Sequence, residues 1–158
     1  GAVALDPAFV NLGFVGEEGY TSAYPTEYAE HKEWGGSTVL KIKTSSSENT
    51  QIKFIEVKPD VLKLVYGSDN VEVSESGDIA IKSKGDEADE MVYVIEEILT
   101  GGRIMRTVIP RGQVGAPGDV VHKSTELLGY DMNIEHLPDA DQVRAYIYIA
   151  QPAADPAA

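Results

Sequence analysis

Apolar side chains at every second position, in short stretches separated by turn residues, constrain this chain more than any other feature. In residues 37–44, Leu40 and Ile42 alternate with Lys41 and Lys43; in residues 50–57, Ile52 and Phe54 alternate with Gln51 and Lys53. A period of two sends successive side chains to opposite faces, so each stretch predicts a half-buried strand. The Ser45-Ser46-Ser47-Glu48-Asn49 link between them predicts a hairpin loop.

The same reading continues along the chain. Residues 92–95 and 104–108 predict a hairpin around Thr100-Gly101-Gly102, whose glycines accept the positive φ of a tight reversal. Short strands are also predicted over 10–15, on both sides of Gly77-Asp78 within 71–84, over 120–123 at an edge, and over 129–137 and 143–149 as a closing pair. One short helix is predicted over 59–67. Pro59 sits where the first turn has no N–H bond to lose, Asp60 lies near the positive helix end, and Gly67 can end it left-handed. Its apolar residues Val61, Leu62, Val65 and Tyr66 make it a lid on a sheet. Residues 16–36 read as a long polar loop carrying Tyr20, Tyr24, Tyr28 and Trp34, and the aromatics argue that something orders it.

Many short strands and one brief helix indicate a mainly β fold, a two-sheet antiparallel sandwich or barrel with a short flanking helix. With 158 residues, one core buries roughly 70% of the unfolded surface. A single domain over 1–150 and a flexible tail over 151–158 are expected, without internal repeats. The chain begins at Gly1, which leaves room for an N-terminal stretch ahead of it. No apolar run approaches the ~20 residues that cross a bilayer.

Catalytic chemistry finds little support. The chain contains no cysteine, which removes thiolate metal sites, disulfides and cysteine nucleophiles together. His31, His122 and His136 are scattered without metal-ligand spacing, no Gly-Lys-Ser/Thr completes the glycine-rich stretches, and no Gly-x-Ser-x-Gly elbow occurs. Neighbouring acids such as Glu96-Glu97 fall on opposite strand faces or on turns, so a carboxylate-dependent hydrolase is a remote reading. No cofactor, no metal and no enzymatic activity are expected.

Charge says more. The formal net charge is −13, from 26 acidic and 13 basic residues, the reverse of what phosphate binding needs. Between Ser68 and Glu97 ten acids face only Lys82 and Lys84, a local net of −8. Two readings stand side by side: solvated hairpin turns that serve solubility, or a wall that repels DNA, as suits a conduit that passes the polymer without gripping it.

The order of features resembles the major tail tube proteins of siphophages, especially those infecting actinobacteria. The similar pieces are Phe14-Val15-Gly16-Glu17-Glu18-Gly19, the Glu33-Trp34-Gly35-Gly36 stretch before the first long strand, and Phe54-Ile55-Glu56-Val57 leading into the helix. Further on come Ile109-Pro110-Arg111-Gly112 at a strand end and Gly129-Tyr130 with the later Pro138-Asp139 turn. The resemblance spans residues 10–149 and is one of pattern, without a catalytic motif.

It implies a sandwich that closes with its copies into a hexameric ring around a central β-barrel, the rings stacking into a tube. Genomic DNA would pass through without tight binding. Partners would be further copies and the tail tip, tape-measure and tail-terminator proteins, in a virion tail assembled in the host cytoplasm. Residues 16–36 and 45–49 occupy the places of segments that reach adjacent subunits, so Glu17, Glu18, Tyr20, Tyr24, Tyr28, Trp34, Ser46 and Glu48 are the candidates for contacts between subunits and rings. Glu72, Glu75, Asp78, Asp86 and Asp89 are the candidates for the channel wall. Lys41, Lys43 and Lys53 would attract phosphates there and are expected outside or against neighbouring acids. The rival readings are a monomeric Ig-like module for host recognition or virion decoration, and the related tube of contractile secretion systems.

Overall fold

A computed structural model describes residues 4–85, 87–115, 120 and 129–151. The strands are β1 (Val15–Ala23), β2 (Thr26–Lys32), β3 (Thr38–Ser46), β4 (Asn49–Phe54), β5 (Val71–Val73), β6 (Ile79–Ile81), β7 (Glu90–Ile98), β8 (Ile104–Val114), β9 (Tyr130–His136) and β10 (Tyr146–Ala150); the helix α1 covers Pro59–Tyr66. Six strands make the main sheet, in the order β1-β4-β9-β8-β10 with β7 also on β8, while β2-β3 and β5-β6 are separate two-stranded ribbons. All pairings among the described residues are antiparallel, and the expected fold class holds for them: mainly β, a sandwich with one short α-helix.

Strand β8 makes the sandwich. It pairs with β10 through Ile104 to Val108, with β9 through Gly112, Gln113 and Val114, and with β7 along most of its length. Between the pairs Tyr93–Ile109 and Met91–Gly112 it carries one residue more than β7, a bulge at Pro110 and Arg111. Proline has no N–H for the ladder, and a bulge bends its strand at that point. Arg111 fixes the bend by gripping the Glu90 carboxylate at 2.8 to 3.0 Å and donating to the Pro138 carbonyl at 2.9 Å. The β1-β4-β9 half then faces the β7-β8-β10 half, and Tyr20 of β1 donates across the gap to Glu97 of β7 at 2.7 Å.

The core lies between these halves and under α1. Phe54 and Ile52 come from β4, Tyr130, Met132 and Ile134 from β9, Ile109 and Val114 from β8, and Tyr93 from β7. Strand β9 alternates strictly, with Tyr130, Met132, Ile134 and His136 buried and the residues between them exposed. Helix α1 starts at Pro59 and gives way to Gly67 at φ 90°, as the sequence predicts. Val61, Leu62 and Leu64 are buried, whereas Val65 and Tyr66 are only half-buried, Tyr66 meeting Tyr130 edge to face at 6.4 Å. The hairpin β7-β8 and the short pair β5-β6 form where expected.

Other expectations are corrected. Residues 10–14 form no strand, and residues 16–36 are not a loop, since β1 and β2 occupy most of them. Strands β3 and β4 do not pair; β3 pairs with β2, and β4 pairs with β1 and β9. The chain from β1 to β4 is one long hairpin whose reversal lies at residues 33–36, so the serine-rich link interrupts its second arm instead of reversing it. Strands β9 and β10 each pair with β8 and not with each other. The strand expected over 120–123 and the tail over 151–158 fall mostly outside the described residues.

At Gly112 the packing leaves no room for a side chain. A Cβ there would lie 2.5 Å from the Tyr93 ring and 3.0 Å from Ile134 Cγ2, both in the core. Gly112→Ala is expected to destabilise the chain by about 1–3 kcal/mol. Urea unfolding checks it; an unchanged midpoint would mean that Tyr93 is free to shift.

Candidate functional site

The part of the long hairpin beyond the main sheet, β2 with β3, is an arm that the other described residues leave bare. Only Ala29 and Ser46 of its strand residues are even half-buried. Its two faces differ. The cross-strand rows Ala29–Ile42 and His31–Leu40 share one face, on which Leu40 and Ile42 are exposed. The rows Tyr28–Lys43 and Glu30–Lys41 form the other, with Lys41 3.5 Å from Glu30 and 4.7 Å above the Tyr28 ring. Trp34 stands fully exposed in the reversal at the tip. Two-stranded ribbons are marginal alone, and an apolar face without cover favours a neighbour.

The arm's root is a polar cluster. The ladder breaks at Pro25, which has no N–H, opposite Ser47, whose amide donates to the Pro25 carbonyl at 3.0 Å. The His136 amide donates to the Glu48 carbonyl at 2.9 Å, and its ring Nε2 lies 2.9 Å from Thr50 Oγ1. The Glu48 carboxylate is 3.7 Å from His136 Nδ1, and Arg144 donates to the Ser46 carbonyl at 2.9 Å.

The sheet edges are unequally guarded. Between Val15 and Tyr20 edge strand β1 leaves register with β4, and the irregular segment carries Glu17 and Glu18 into solvent. Strand β7 is flanked by Glu90, Glu96 and Glu97. Among the described residues, strand β10, Tyr-Ile-Tyr-Ile-Ala, ends the sheet with neither charge nor proline, and Ile147, Tyr148 and Ile149 are exposed. An edge of this kind is a template for another strand.

The other candidates are dispersed. Tyr24 is exposed beside the break, whereas Tyr20 turns inward, and burial with the Glu97 carboxylate pushes its hydroxyl up to about 12. Glu72, Glu75 and Asp78 lie on or between β5 and β6; Lys82 pairs with Glu72, and Asp78 accepts from Ser76 at 2.7 Å. Asp89 accepts from Ser68 at 3.1 Å, and Asp86 lies outside the described residues. Among the described residues no group of His, Asp and Glu is arranged to hold a metal ion.

A family model described as phage tail tube protein matches residues 2–158, nearly the whole chain. The chain belongs to this family. A search of curated proteins returned no match. The tail tube subunit is thus a structural component of the virion tail, a part of an oligomeric assembly. No helix among its described residues is long and apolar enough to cross a membrane.

Sequence reasoning missed the partners at the root of the tail tube arm. Arg144 lies 98 positions from Ser46, a pairing that no local pattern reveals, while the strict alternation ending at His136 does mark that histidine as inward-facing. Burial lowers the His136 pKa, outweighing the opposite pull of Glu48, and Arg144 lowers it further. The unfolded chain therefore takes up a proton near the ordinary value of 6.5 that the folded chain refuses until lower pH. Stability is expected to fall as pH drops through this window, by at most about 1.4 kcal/mol per pH unit. Urea unfolding between pH 7.5 and 5.5 checks it: His136→Gln should flatten the slope, and an equal slope in both proteins would assign it elsewhere.

Proposed function

We propose that the subunit self-assembles into hexameric rings that stack into the tube of a long, non-contractile siphophage tail, through which genomic DNA passes into the host. The observation that carries this reading is the amphipathic arm, whose apolar face has no cover among the described residues. Packing Leu40 and Ile42 against an adjacent ring would contribute about 1.5–3 kcal/mol for each side chain fully buried. The open edge of β10 offers the lateral joint, where a strand from the next copy would satisfy its backbone and continue the sheet around a central barrel. Such a tube would start on the tail tip around a tape-measure protein and end at a terminator, without chemical catalysis.

In this arrangement Tyr24, Tyr28, Trp34, Ser46, Glu48, Glu17 and Glu18 serve contacts between copies, and Tyr20 serves them indirectly by holding β1 on β7. Glu72, Glu75, Asp78, Asp86 and Asp89 are proposed to face the DNA path and repel its phosphates. Replacing both Glu75 and Asp78 by Lys is expected to leave tubes intact and slow DNA ejection from assembled phage. Ejection at the parent rate would remove these acids from the channel.

Electron microscopy of the purified subunit over a concentration series, with light scattering, tests the assembly. Rings or tubes are expected, and Trp34→Ala should weaken polymerisation while changing stability by less than about 0.5 kcal/mol, because an exposed side chain has little to lose on folding. Unfolding of Trp34→Ala would place the indole in the core. Strictly monomeric particles, even with a tail-tip nucleator present, would favour the recognition module.

A further inference from the structure

Resting on the ring reading, we infer that Arg144 is a positioning residue that sets the direction of the arm relative to the open edge of β10, and so couples stacking of rings to their lateral closure. The arm meets the body at a weak point. At Pro25 the ladder loses a donor, and the Ser47-to-Pro25 hydrogen bond crosses the break. A ribbon joined in this way can swing unless something outside the ladder holds it.

Arg144 supplies that hold. Its guanidinium donates to the Ser46 carbonyl at 2.9 Å and contacts Ser46 Oγ at 3.3 Å, gripping the last residue of β3 at two points. A planar guanidinium fixes orientation as well as distance, which a lysine ammonium does not.

The segment that carries Arg144 is a hydrogen-bonded turn. The Asp139 carboxylate accepts from the Asp141 and Val143 amides, each at 2.9 Å, and from the Tyr146 hydroxyl at 2.7 Å. The Val143 carbonyl accepts from the Asp139 amide at 3.0 Å, and Gln142 holds φ at 62° within this turn. Tyr146 is the first residue of β10. One turn therefore holds the start of the open edge at one point and the root of the arm at another. A neighbour that moves the arm must strain the turn or move with the edge, and the two contacts of a subunit are then presented in one fixed relation.

The chain has no cysteine, so two introduced thiols are the only labelling sites. Spin labels at Ser37→Cys near the arm tip and Asp131→Cys on exposed β9 report the arm's direction in dilute, unassembled protein. A single narrow distance distribution is expected with Arg144 present. Arg144→Ala should broaden it about twofold, keep the far-UV circular dichroism, and raise the threshold concentration for tubes roughly tenfold, the factor carried by one or two ordinary hydrogen bonds. A broad distribution with Arg144 present, or the same narrow one in Arg144→Ala, would overturn the positioning role. Broadening with an unchanged threshold would overturn the coupling. If Arg144→Ala does not fold, Arg144→Lys carries the test, with broadening expected and a narrow distribution contradicting the two-point grip. Failure of the parent protein to form tubes under any condition would count against the ring reading and leave the distance result standing.

Discussion

The bend in β8 is the constraint on which the rest of this structure depends. A strand that pairs with β7 on one side and shares its other side between β10 and β9 must change direction where the partners change. Pro110 makes that change inexpensive, because the residue that interrupts the ladder has no amide to leave unsatisfied. Arg111 then ties the bulge to Glu90 and Pro138, and Gly112 lets Tyr93 close over the strand as it enters the second layer. Without the bend the two halves of the sheet would not face each other, and Phe54, Met132 and Ile109 would have no common interior.

The elements legible in the sequence are those whose signal is local. The β7-β8 hairpin follows from Gly101 and Gly102, both at positive φ, and α1 follows from Pro59 and Gly67. Strands β1 and β2 were illegible because residues 16–36 carry few apolar side chains and none in the alternation that marks a half-buried strand, whereas β3 showed its alternation of Leu40 and Ile42 with Lys41 and Lys43. The wrong partner for β4 has a related cause. Alternation identifies strands but not neighbours, and the hairpin rule favours the nearest strand in sequence even where the true reversal lies at residues 33–36. Among the candidates, Tyr28 and Trp34 were recognisable as aromatics in a polar setting, and Ser46 and Glu48 fell within the link that proved to be the arm's root. Tyr20 had the same appearance and points inward, because facing in β1 depends on the irregularity before it.

Charge and cohesion act against each other in this molecule, and their balance bears on the proposed assembly. Copies with a net charge of −13 repel at close approach, most strongly at low ionic strength. The arm escapes most of this. Glu30 is paired with Lys41, and Lys32 and Lys43 offset Glu27 and Glu33, so the projecting element is close to neutral while the body carries the acidic excess. A neutral, amphipathic arm can approach an acidic neighbour where the body cannot.

On the ring reading this balance also governs when assembly starts. A single contact through the arm or through β10 buries few side chains and must overcome both repulsion and the entropy of association. A subunit arriving at an existing ring makes both contacts at once, and the second forms at the high effective concentration set by the first. That gain depends on geometry, since two surfaces joined by a loose hinge cannot both be in register with a rigid template. On this reading the turn that ties Ser46 through Arg144 to the start of β10 would convert two weak contacts into one that is strong only on a preformed ring, and so would favour growth from a template over spontaneous nucleation.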